Sequence, residues 1–133
     1  MKLPYKLANI LYDFRNRRQR FARGWADGDV WNMNDWFIKT VEPMLKHLRD
    51  NGCGVPNELY DEGLDSREQW EAVLDEMVRC LHLMDEDNVR MALGLYRRHG
   101  LSYDEHKRIG DTMEENKNRF FELFSKWFFD LWD

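Results

Sequence analysis

Apolar residues recur along this chain every three or four positions, and no stretch alternates with a period of two. That rhythm constrains the fold more than any other feature, because a stripe at 3.6-residue spacing is gathered on one side of a helix and scattered by a strand. The breakers agree with it: only Pro4, Pro43 and Pro56 are prolines, and the eight glycines fall mostly at short interruptions. The expected fold is all-α, a single-domain bundle of four or five helices over residues 1–133 with a long aromatic C-terminal helix. A chain of 133 residues, 43% of them hydrophobic, can bury a core without disulfides or metals.

Local signals place the helices. Pro4 suits a helix start and Gly24 a helix stop, so a basic first helix is expected over about 4–23, with Leu7, Ile10, Leu11, Phe14 and Phe21 as its apolar stripe. Asp27 or Asp29 can cap a second helix with Trp36, Ile38, Val41, Leu45 and Leu48 facing inward and a kink at Pro43. Residues 51–65 carry three glycines and a proline without any period and read as one long connection. Ser66 with Gln69 forms a capping box that opens a helix presenting Trp70, Val73, Leu74, Met77, Leu81 and Met84. Acids at 85–87 break that helix, and a further one is expected through Val89, Met91, Leu93 and Tyr96 to His99 and Gly100. A second capping box, Ser102 with Glu105, starts the last helix, expected over about 102–132 and about 45 Å long at 1.5 Å per residue. Trp127 is the strongest core candidate on it.

Catalytic chemistry is not legible. Phosphate loops, dinucleotide turns, nucleophile elbows, paired zinc cysteines and two-histidine metal helices are missing from the sequence. The acids and amides from Asp27 to Asp35 lack the glycine and terminal glutamate of a calcium loop. Cys80 and His82 point about 200° apart on a helix, which leaves Cys80 as a small core residue and His82 as an exposed one. The sequence therefore predicts no catalytic residues, no metal and no cofactor. Two cysteines, Cys53 and Cys80, are too few for a disulfide scaffold, and no apolar run approaches the roughly 20 residues of a membrane span. A cytoplasmic protein without a membrane partner is expected.

Charge is polarised. Residues 1–24 hold seven Lys or Arg against the single acid Asp13, whereas the rest holds 13 basic and 24 acidic residues. Two surfaces follow as candidates. One is an acidic face of Glu58, Asp61, Glu62, Asp65, Glu68, Glu71, Asp75, Glu76, Asp85, Glu86 and Asp87, which suits a basic protein partner or a nucleic-acid mimic. The other is the arginine run of Arg15, Arg17, Arg18, Arg20 and Arg23, which suits phosphates. Pairing of the arginines with acids of the same chain is the plainest use of both.

The stretch Arg23-Gly24-Trp25-Ala26-Asp27-x-Asp29-Val30-Trp31-Asn32-Met33-Asn34-x-Trp36, and again Leu123-Phe124-x-Lys126-x-Phe128-x-x-Leu131-Trp132-Asp133, resembles a family of small, functionally unassigned bacteriophage-encoded proteins. The resemblance implies phage origin and action in the cytoplasm of an infected bacterium, and carries no catalytic residues with it. Independently of it, Trp25, Trp31 and Trp36 are expected to wedge the first two helices against the C-terminal helix.

Three functions fit. The first is a non-enzymatic binding protein that occupies a host or phage macromolecule such as a nucleic-acid-handling enzyme, with inhibition of a host-defence nuclease, an anti-CRISPR-like role, as its concrete case. The second is a nucleic-acid-binding accessory factor using the arginine helix. The third is a self-assembling phage component, for which the crowded aromatic terminus is the motive.

Overall fold

The computed structural model describes residues 4–60 and 66–132. Its elements are α1 (Tyr5–Arg23), α2 (Met33–Asn51), α3 (Asn57–Tyr60), α4 (Ser66–His82), α5 (Glu86–Ala92) and α6 (Tyr103–Trp127), with 3-10 turns at Asp27–Asn32 and Phe128–Asp130. The fold is all-α, with no strand among the described residues and a long C-terminal helix. Backbone packing divides the chain into two compact units, Met1–Phe37 and Ile38–Asp133.

In the first unit, the Pro4 carbonyl accepts from the Leu7 and Ala8 N–H groups at the start of α1, and Gly24 ends it at φ 82°, donating to the Arg20 carbonyl at 2.8 Å. That left-handed backbone is open to glycine at little cost and turns the chain back on itself. The apolar stripe expected to face inward does not: Leu7, Ile10, Leu11, Phe14 and Phe21 are all exposed, Phe21 by 95%. The one buried residue of α1 is Asn16. At 100° per residue it lies roughly opposite the stripe, so the packed face of this helix is its polar one. The physical reason is the charged turn that follows α1, which draws Gln19, Arg20 and Arg23 toward its carboxylates. Asp29 does not cap α2 directly. Instead it accepts from the Ala26 N–H at 2.7 Å and starts the 3-10 turn that precedes the helix.

The second unit has an apolar core. Helices α4 and α6 lie along each other, and Trp70, Leu74, Met77, Val78, Cys80 and Leu81 from one, with Ile109, Phe120, Leu123 and Trp127 from the other, are buried. The Trp70 and Trp127 rings meet edge to face at 5.6 Å, a geometry aromatic quadrupoles favour. Val89 of α5, Leu95 and Ile109 form a second cluster covered by Leu83, Leu93, Leu101 and Met113. Ile38 and Leu45 of α2 are buried, and Pro43 sits inside that helix without ending it. The C-terminal end of α2 is capped from a distance: the Arg67 guanidinium donates to the carbonyls of Arg49, at 2.9 Å, in the last turn and of Gly52 just beyond it.

Three boundaries differ from expectation. The connection at 51–65 is interrupted by the single turn α3. Helix α5 stops at Ala92, well short of His99, because Gly94 at φ 72° reverses the chain and tucks Leu95 into the core. The Ser102–Glu105 box is formed, with Ser102 Oγ accepting from the Glu105 N–H at 3.1 Å, but regular α-helix ends at Trp127, so α6 is about 37 Å long. Beyond it, Phe128, Phe129 and Trp132 are exposed.

Candidate functional site

The two candidate surfaces fare differently. Among the acids, Asp61, Glu62 and Asp65 lie outside the described residues. Four others face arginines: Glu71 pairs with Arg67 at 2.7 Å, Asp75 with Arg49 at 2.7 Å, Glu76 with Arg79 at 2.8 Å, and Glu86 with Arg90 at 2.6 Å. Asp85 caps α5 by accepting from the Asn88 N–H at 3.2 Å. The Arg79 guanidinium holds the Glu76 carboxyl below the usual carboxylate range, against the opposing effect of burial. Glu58, Glu68 and Asp87 remain exposed with no ion pair among the described residues. The described acidic residues are thus spread over α3, α4 and α5, and half of them are answered by cations of their own unit.

The arginine run divides into two groups. Arg20 grips Asp29 as a fork, Nη2 to Oδ1 at 2.6 Å and Nε to Oδ2 at 3.1 Å. Arg23 donates to Asp27 and, at 3.1 Å, to the Trp25 carbonyl, and its guanidinium lies 3.7 Å from the centre of the Trp25 ring, a cation–π contact. Gln19 completes the turn, donating to Asp27 Oδ2 at 2.8 Å and accepting from the Asp27 N–H at 2.9 Å. First the Gln19 amide, then the Arg23 guanidinium, holds the Asp27 carboxyl below its ordinary range. Arg20 and Arg23 are therefore builders of the turn.

Arg15, Arg17 and Arg18 are not. Arg15 reaches over the Tyr12 ring at 5.6 Å, and none of the three has an ion pair among the described residues. Phe14, Arg17, Arg18 and Phe21 stand three and four positions apart on α1, which makes one exposed patch of alternating cations and rings. Trp31, 88% exposed, and Trp25 add to the aromatic surface of the same unit, whereas Trp36 is half-buried.

Beside this patch is a polar pocket of about 410 Å³ lined by Tyr12, Asp13, Asn16, Arg17, Arg20 and Gly28. Asn16 is only 6% exposed, and its Oδ1 has no hydrogen-bond partner among the described residues. Sequence reasoning passed over Asn16, Tyr12 and Gly28. The available signal was the spacing, since Tyr12, Asn16 and Arg20 stand at i, i+4 and i+8 on the face opposite the apolar stripe. In the second unit an apolar groove of about 630 Å³ runs between α2 and the chain end, walled by Val41, Leu45, Leu48, Phe124, Phe128 and Trp132.

Among the described residues, no group of three or more His, Cys, Asp or Glu is placed to hold a metal ion, and no helix is long and apolar enough to cross a membrane. Cys80 is buried, and burial pushes its thiol up, away from the reactive thiolate. Comparisons with protein-family models, with curated proteins and with solved structures give no match for this chain.

Proposed function

We propose that this chain is a non-catalytic binding protein and that its first unit holds single-stranded nucleic acid. The observation that carries this is the exposed patch of Phe14, Arg17, Arg18 and Phe21, in which two cations without acidic partners among the described residues alternate with two rings. Single strands are bound by that combination: guanidinium groups neutralise phosphates, and bases stack on aromatic faces without regard to sequence. The net charge of −5 does not oppose it locally, since α1 carries six cations and one acid. Filter binding or fluorescence anisotropy with a labelled 20-mer tests it. Affinity is expected to fall steeply with salt, and Arg17→Ala with Arg18→Ala to flatten the log–log salt slope by about 1.4, which is 0.7 for each lost phosphate contact. Absence of binding at low salt defeats the proposal.

The second reading is a protein that occupies a host nuclease in a phage-infected cell. The apolar groove of the second unit and the exposed Phe128, Phe129 and Trp132 at its edge support a protein partner. An acidic mimic draws less support, because five of the eight described acids of that face are engaged in ion pairs or a cap, leaving Glu58, Glu68 and Asp87. Pull-down with and without ribonuclease and deoxyribonuclease separates the readings: a protein partner survives the treatment, and one tethered through nucleic acid does not.

A further inference from the structure

Asn16 is the anomaly of the first unit. A buried amide oxygen without a partner loses the full benefit of its hydration, and folded proteins rarely leave that uncompensated. Here the orphan oxygen belongs to a side chain lining an open pocket. The other walls define what would fill it. Arg17 supplies a guanidinium with no ion pair among the described residues, and Arg20 keeps Nη1 outside its two-pronged grip on Asp29. Asp13 supplies an acceptor and Tyr12 a hydroxyl. Gly28 matters through what it lacks: a Cβ there would stand 2.6 Å from the Tyr12 hydroxyl oxygen and 3.2 Å from Asn16 Nδ2, closing the space beside them.

A site with cationic donors on one side and neutral and anionic acceptors on the other calls for a ligand that is both anionic and hydroxylated. Given the nucleic-acid target proposed above, we infer that this pocket takes the ribose phosphate of an RNA strand, with the 2′-hydroxyl hydrogen-bonded to the Asn16 amide and the phosphate on Arg17. The hydroxyl is donor and acceptor at once, so it satisfies that amide in either orientation of its oxygen and nitrogen. DNA lacks the group, which makes the pocket the element that distinguishes the two nucleic acids, while the Phe14–Phe21 patch holds both.

The test compares four probes on the native protein by anisotropy: a 20-mer of RNA, the same sequence in DNA, the same in 2′-fluoro RNA, and free adenosine monophosphate as competitor. RNA is expected to bind about fivefold more tightly than DNA, and 2′-fluoro RNA, which keeps charge and sugar pucker but has no hydroxyl, to bind like DNA. Asn16→Leu should bring the ratio of RNA to DNA affinity from about five to about one, with a melting temperature unchanged or raised, since it removes a buried unsatisfied group. Arg17→Ala should weaken every strand. Equal affinity for RNA, DNA and 2′-fluoro RNA overturns the pocket inference and leaves strand binding standing. Binding of no strand overturns the proposed function. If the monophosphate alone binds, in an Asn16-dependent way, the pocket holds a free nucleotide and the RNA assignment is overturned.

Discussion

The two units of this chain are stabilised by opposite means. Residues 38–133 bury Trp70, Leu74, Met77, Leu81, Phe120 and Trp127 in helices packed side by side, and their ion pairs lie on the periphery. In residues 4–37 the only residues buried are Ala26 and Asn16, and the turn is held by Arg20, Arg23 and Gln19 against Asp27 and Asp29. Apolar burial is worth about 25 cal/mol per Å², whereas exposed ion pairs are worth about 0 to 1 kcal/mol each. The second unit is consequently the stable body and the first the one that opens most readily. A surface used for binding is commonly found at that low-stability end.

The largest test of the contrast is Trp70→Ala. Removing a ring that is 1% exposed and meets Trp127 edge to face should cost about 3–5 kcal/mol, a large part of a domain's total of about 5–15 kcal/mol. Urea unfolding followed by near-ultraviolet circular dichroism reads it, and a loss below about 1 kcal/mol would mean that α4 and α6 do not form the principal core.

A smaller and more local effect is expected from Asp29→Ala. It removes the acceptor of the Ala26 N–H and the anchor of Arg20, a loss of about 1 kcal/mol on the scale of a helix cap. Amide exchange should quicken at residues 26–29 while the amides of α4 stay protected. Equal quickening in both units would show that they unfold as one and dissolve the distinction.

Acid should act most gently. The Asp27 carboxyl is held below its ordinary value of 3.8, so the stabilisation it brings is present above that value and is lost as pH falls through the lowered folded value. Below pH 3.8 the turn after α1 should loosen first, visible as a change in Trp25 fluorescence as Arg23 lets go of Asp27. A Trp25 signal unchanged down to pH 2 would mean that packing, not charge, holds the turn.

The sequence determined the helices, because helix formation is local. Gly24 stops α1, Ser102 and Glu105 start α6, and the acids at 85–87 break α4 from α5, each through hydrogen bonds reaching no more than four residues. The face of α4 was legible too, since Trp70, Leu74, Met77 and Leu81 have no polar rival at that spacing. Which face α1 would use was not legible, because two stripes compete along it. Its apolar stripe predicts burial, and its polar face has carboxylates eight to nine residues away, where only the reversal at Gly24 brings Asp27 and Asp29 within reach of Gln19 and Arg20. The same distinction separates the arginines: identical in type and close in sequence, Arg20 and Arg23 became structural and Arg17 and Arg18 have no acidic partner among the described residues, according to where the returning turn laid its charges. The orphan oxygen of Asn16 is likewise a product of that return, for burial is a property of neighbours and not of the residue itself.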